Sequence, residues 1–266
     1  MATRRRRNRP PARRIRQQQT QTKRRDLLVE RVEREYVKIV RAHRIAAEGV
    51  IEEWIDLNAR ETSNDSLIII DEGERRLIAA LRRIFNNTRS LTRLFGRMAS
   101  NISQDVDSTI VETIPVVARS DLVASPLVNQ YARRNAELVK NLTVSEIDRF
   151  TKIIRTGEGR SAAALKNEFQ RAFSVTESKA KLWARDQTLK LHSNITKERH
   201  QAVGIQRYFW TDSNDERVRA IHDELGDRSD EGETFSYRNP PVTSEDGRRN
   251  NPGEDYNCRC TAYPVL

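Results

Sequence analysis

A chain of 266 residues can bury one sizeable core or two small ones. With 36% hydrophobic and 32% charged residues and a mean hydropathy of −0.76, it is polar for a single compact globule. That balance predicts elongated helices, or ordered parts separated by disorder. No apolar run, Leu67-Ile68-Ile69-Ile70 among them, approaches the ~18–20 residues of a membrane span. The N-terminal arginines precede no apolar segment, so neither a spanning helix nor a secretory signal is expected. Two cysteines make no disulfide framework, and the chain reads as made and kept in a cytoplasm-like compartment.

Charge is concentrated at the N-terminus. Residues 1–25 carry Arg4, Arg5, Arg6, Arg7, Arg9, Arg13, Arg14, Arg16, Lys23, Arg24 and Arg25 and no acid. Against a total of +10, these eleven cations leave −1 for residues 26–266, so the remainder has no net attraction to phosphate. With Pro10, Pro11 and Gln17-Gln18-Gln19 between the arginines, the segment reads as a disordered arm. Its cations suit nucleic-acid contact through phosphates, with Arg4, Arg5, Arg6, Arg7, Arg9, Arg13, Arg14 and Arg16 the candidate residues. The bland alternative is a solvated tail or one held by an acidic protein surface.

From Asp26 the pattern turns helical. Leu28, Val32, Tyr36, Ile39, Ala46, Val50, Trp54 and Leu57 recur at three- and four-residue steps and predict one long amphipathic helix. Thr62-Ser63-Asn64-Asp65 reads as its break. Leu77, Leu81, Ile84, Phe85, Thr88, Leu91, Phe95, Met98 and Ile102 predict a second long helix, fading toward Pro115. The two suggest a helical hairpin or partner-binding helices over 26–120. Thr143 with Glu146, and Ser174 with Glu177, fit capping boxes that would start helices near Val144 and Val175. Thr156-Gly157-Glu158-Gly159 marks a break between the first of these and a helix at 161–173. Gly204 ends the last helix, and residues 206–211 look like a strand.

The segment 207–266 is motif-dense. Ser213 and Glu216 form a third candidate capping box, opening a helix expected to end near Gly226. On that helix Asp215 and His222 would be nearly aligned at about 100° per residue, with Arg219 four residues from Asp215 and able to pair with it. Residues 227–257 read as irregular loops, and Thr261–Leu266 as a strand that pairs with the one before the helix. Cys258 and Cys260 would share one strand face. Three readings stand for them: zinc held with His222 and one of Asp212, Asp215 or Glu254, a strained disulfide, or plain packing of two small side chains. The predicted fold class is α+β and predominantly α-helical. It comprises an arm (1–25), a helical body (26–120 and 121–206) and a small C-terminal α+β module (207–266).

In this order, Trp210-Thr211, Asp215-Glu216-Arg217-Val218-Arg219, His222, Leu225-Gly226, Pro252-Gly253-Glu254-Asp255 and Cys258-Arg259-Cys260 resemble the phage Mu protein F-like family. Its members are minor head, or head morphogenesis, proteins of tailed bacteriophages. Tyr131–Val139, Ser174–Ser178 and Ala184-Arg185 extend the resemblance over about residues 125–266. Where the family often has Arg-Thr-Glu-Thr, this chain has Arg185-Asp186-Gln187-Thr188. Glu254-Asp255 stand near the place of a loop histidine found in many members. The resemblance implies Trp210, Asp215, Arg217, Arg219, His222, Gly226, Pro252, Gly253, Cys258 and Cys260 as structural motif residues.

It also implies a non-enzymatic virion component in the capsid interior near the portal vertex, found in the host cytoplasm during assembly. Its partners would be the portal protein, the major capsid or scaffolding protein, and packaged double-stranded DNA through the arm, with no membrane. It would assist head assembly and DNA packaging or ejection. Two rivals remain. One is a metal-dependent nuclease using His222 with Asp215 and a Cys258/Cys260 metal anchor, although no two-metal acid cluster or phosphate-cradling loop is present. The other is a non-specific nucleic-acid-binding protein.

Overall fold

The computed structural model describes residues 12–61, 66–68, 73–85, 88–114, 117, 125–156 and 161–266. Among them the fold is α+β and predominantly helical. Helices α1 (Ala12–Asn58), α2 (Gly73–Phe85), α3 (Thr88–Thr113), α4 (Leu127–Arg155) and α5 (Ala162–Ala202) precede the short α6 (Ala220–Asp230). Strands β1 (Ala59–Glu61) and β2 (Ser66–Ile68) form an antiparallel pair between α1 and α2. A separate antiparallel sheet has the order β4-β3-β5, from β3 (Arg207–Thr211), β4 (Phe235–Ser236) and β5 (Thr261–Pro264). The expected breaks at 62–65 and 157–159 lie outside the described residues, as do Pro115 and Arg4 to Arg9. No helix among the described residues is long and apolar enough to cross a membrane.

The chain folds as two units. One takes the described residues through Val32 with Gly96–Tyr131 and Arg185–Leu266; the other takes Glu33–Phe95 and Ala132–Ala184. The second unit is a helical core. Ala47, Ile51, Trp54 and Ile55 of α1 share one apolar cluster with Leu77 and Leu81 of α2, Ile147, Phe150, Ile153 and Ile154 of α4, and Leu165, Phe169, Ala172 and Phe173 of α5. Tyr36 stacks on Phe95 with ring centroids 4.8 Å apart, and its hydroxyl hydrogen-bonds the buried Asn135 side chain. Val32, Tyr36 and Trp54 of the predicted stripe of α1 are buried, but the buried face also takes in Val29, Val40, Ala47, Ile51 and Ile55, whereas Leu57 is 70% exposed. Two apolar stripes lie close together on this helix, and only packing selects between them.

Several predicted boundaries move. Residues 12–25, expected to be disordered, are the first turns of α1. The second predicted helix is two, α2 and α3, and residues 86–87 between them lie outside the described ones. Neither Thr143 nor Ser174 starts a helix, because α4 and α5 run unbroken through both positions. Ser174 donates to Arg171 O at 2.9 Å within the helix, and Glu177 instead pairs with Arg41 at 2.8 Å. The true start of α5 is Ser161, whose hydroxyl accepts the Ala164 amide at 3.2 Å. At the other end Gly204 (φ +85°) closes α5 as expected. Ile205 N donates to His200 O at 2.8 Å and Gly204 N to Gln201 O at 3.1 Å, a six-to-one and five-to-two pair that needs a left-handed residue.

Two histidines of α5 are buried in the first unit. His200 Nδ1 lies 2.5 Å from the Tyr237 hydroxyl, and His192 Nε2 is 3.9 Å from the Asp105 carboxylate. Burial lowers His200 from 6.5 to about 4, and burial with the nearby Arg25 lowers His192 to about 3. Both are therefore neutral when folded and free to charge when unfolded. Stability is complete above about pH 6.5 and falls as pH drops toward 4, by roughly 2 kcal/mol per histidine near pH 5. Urea midpoints at neutral pH and near pH 5 check this, and unchanged midpoints would show that these rings are not buried as described.

Candidate functional site

The cluster lies in the C-terminal module, where β3 and β5 pair antiparallel with Trp210 opposite Ala262 and Thr211 opposite Thr261. This is the pairing expected from the sequence. The second neighbour of β3, the short β4, falls in a segment read as loops and pairs Tyr208 with Phe235. Tyr208, Trp210, Leu225, Phe235, Tyr237, Cys258 and Cys260 form one buried apolar cluster. Trp210 is its largest member, and its backbone amide donates to Ser229 Oγ at 2.7 Å.

Helix α6 begins at Ala220, later than predicted, because residues 215–218 form a turn. Asp215 Oδ1 accepts the Arg217 amide at 2.9 Å, and Val218 N donates to Asp215 O at 3.0 Å. No side chain caps α6, so the Ser213/Glu216 box does not operate. The helix passes through Gly226 and ends at Gly232 (φ +102°), which repeats the cap of α5 with Glu233 N on Arg228 O. Gly226 has a different role. A Cβ there would sit 2.0 Å from Asp212 Oδ2, so the glycine lets the carboxylate lie against the helix backbone one turn beyond His222.

The predicted pairing of Asp215 with Arg219 is absent. Asp215 is instead bound by both arms of Arg259, at 2.6 and 2.5 Å, which joins the turn before α6 to the residue between the two cysteines. This bidentate bond holds the Asp215 carboxyl below the usual carboxylate range. Arg219 reaches the Tyr256 carbonyl at 2.6 Å, and Arg217 is 3.8 Å from Asp215. Gly253 lies against Ser193, whose hydroxyl donates to the Pro252 carbonyl.

His222, Cys258 and Cys260 do come together. Cys258 Sγ is 3.4 Å and Cys260 Sγ 3.5 Å from His222 Nδ1, and all three side chains are buried. On its other side His222 Nε2 is 3.2 Å from Thr243 O and 3.6 Å from Asp255 Oδ2. Trp210 meets the imidazole edge-on, centroids 5.3 Å apart at 78°. Both cysteines are free thiols. The Cys260 hydrogen bond, with His222 alongside, holds the Cys258 thiol well below its ordinary range, and the same bond pushes Cys260 up.

Cysteine, imidazole and carboxylate in a row are the parts of a nucleophilic triad. Here the sulfur is 3% and the ring 2% exposed, so no substrate carbonyl can reach them. The acid/base pair expected of His222 with Asp215 does not form, since Arg259 occupies Asp215.

Sequence reading missed two supports of the cluster. Asp186, the acid displaced within α5, is buried and accepts the Asn257 amide at 2.9 Å and the Lys190 ammonium at 2.8 Å. It thereby anchors the residue before Cys258. Arg25, assigned to the arm, is 1% exposed and donates to Arg259 O at 2.5 Å. Arg14 likewise lies over the Phe209 ring, 3.7 Å from its centroid, with Gln17 accepting from the Tyr263 hydroxyl at 2.7 Å. Positions 14, 17–18, 21 and 25 are all Arg or Gln and carried no recognisable signal, because these side chains pack through their stems and planar groups. Arg16 is exposed, and the side chain of Arg13 lies outside the described ones.

Fold and cluster together define a helical protein that ends in a small α+β module closed around a buried His-Cys-Cys group. Residues 148–263, less than half of the chain, match the family model described as Phage Mu protein F like protein. An uncharacterized protein of Haemophilus influenzae is 35% identical over 141 residues, which is 52% of this chain and 29% of the relative. The chain thus spans under a third of that protein's length. No solved structure matches significantly.

Proposed function

We propose that the chain is a minor head protein of a tailed bacteriophage, bound to the portal on the capsid interior and assisting head assembly without turnover. The observation that carries this reading is the family match over residues 148–263, which takes in the end of α4, all of α5 and the C-terminal module as far as Tyr263. The burial of the module's reactive groups supports a structural rather than a catalytic role. The long helices offer surface to a partner ring, and the cations of the first eleven residues suit packaged DNA.

Co-expression with the portal protein of the same phage tests this: the chain is expected to co-purify with it, and a deletion phage to give defective heads or reduced infectivity. Normal heads and infectivity from the deletion would overturn the proposal. For the DNA contact, removing residues 1–11 takes away Arg4, Arg5, Arg6, Arg7 and Arg9. The salt slope of DNA binding is then expected to lose up to about four units. An unchanged slope assigns the arm to protein instead.

A further inference from the structure

The His222, Cys258 and Cys260 group makes poor sense as a set of hydrogen bonds. The Thr243 carbonyl can only accept, so its contact with Nε2 puts a proton there and leaves Nδ1 to face the two sulfurs. The single in-plane position at Nδ1 cannot form good hydrogen bonds with two sulfurs at once, yet both are drawn to it at 3.4 and 3.5 Å. A tetrahedral zinc with Zn–S of about 2.3 Å and Zn–N of about 2.0–2.1 Å separates its sulfur and nitrogen ligands by about 3.6 Å. The observed separations match that spacing, and the three ligand atoms all lie within 4.8 Å of one another. The outer nitrogen is also held as a ligating histidine requires, by a carbonyl with a carboxylate, Asp255, behind it.

We infer that His222 Nδ1, Cys258 Sγ and Cys260 Sγ bind one zinc ion, a structural cross-link between α6 and the segment leading into β5. Of the carboxylates nominated for the fourth place, Asp215 is held by Arg259, and Glu254 by Asn251 and Lys197. Asp212 is left, with one oxygen on the Asn214 amide and the other against Gly226. It stands outside the group whose ligand atoms lie within 4.8 Å of one another, and is the one nominated carboxylate left for the fourth place. Full burial makes the ion structural, since a catalytic zinc keeps an open position for substrate.

The experiment uses the full chain, purified without chelators from zinc-supplemented cells. Elemental analysis is expected to find one zinc per chain, released when a mercurial blocks the thiols. Cys258→Ala, Cys260→Ala and His222→Ala are each expected to lose it. Because these variants can misfold, cobalt is added to the metal-free native chain as an independent readout. Thiolate-to-cobalt charge transfer with intense visible bands of tetrahedral cobalt is expected. Asp212→Asn is expected to weaken zinc at least tenfold while keeping the cobalt–thiolate band. Wild-type zinc affinity in that variant removes Asp212 from the site. Substoichiometric zinc in the native chain, with no cobalt–thiolate band, overturns the proposal. None of these outcomes depends on the portal reading.

Discussion

Phe150→Ala is expected to lower the stability of the second unit by about 3–5 kcal/mol. The ring is fully buried and packs on Phe169 and Phe173 at centroid distances of 5.3 and 4.8 Å, with interplanar angles of 64° and 60°. Removing it opens a cavity bounded by helices, whose backbones collapse poorly, and ends two aromatic contacts worth about 0.5–1.5 kcal/mol each beyond area. Trp54 and Trp183 both belong to this unit, so urea unfolding of a Trp210→Phe background reads it by fluorescence. Phe150→Leu, which keeps most of the volume, should cost less. A loss below about 1 kcal/mol for the alanine variant would mean that α4 and α5 do not meet through this ring.

Trp210→Ala should do comparable damage to the first unit, again about 3–5 kcal/mol. Its side chain is 1% exposed and touches both the imidazole of His222 and the ring of Phe235, the latter at 6.5 Å and 83°. A module this small has few other large side chains to spread into the void. Hydrogen exchange localises the effect, with amides of β3, β5 and α6 expected to exchange on the order of a hundredfold faster or more. Protection unchanged at these amides would show that the sheet does not depend on the indole. Trp210→Phe should recover part of it.

Much of the module was legible because its signals are local. Aromatics at 208–210 marked β3, Gly204 marked the end of α5, and the spacing of the cysteines placed both on one side of the chain. The His222–Cys258–Cys260 association was also readable, since few other residues of that chemistry exist in the chain. What misled were short patterns with several physical outcomes. Ser174 and Glu177 look like a capping box, yet a hydroxyl bonds as well to the preceding turn, and burial on both sides keeps α5 continuous. Gly226 looks like a helix end, but a glycine also marks close approach, and Asp212 is what approaches.

By itself the sequence determined the α+β, mainly helical class, the β3–β5 pairing and the family resemblance. Each rests on periodicity or on motifs read within a short window. Only the tertiary structure decided which stripe of α1 is buried, that Arg14 and Arg25 belong to the folded protein, and that Asp215 serves Arg259 rather than His222. Those outcomes depend on contacts between residues far apart in the chain, such as the 234 positions between Arg25 and the Arg259 carbonyl. At such separations charge and hydropathy name a residue's preferences, but the partner that satisfies them is set by packing.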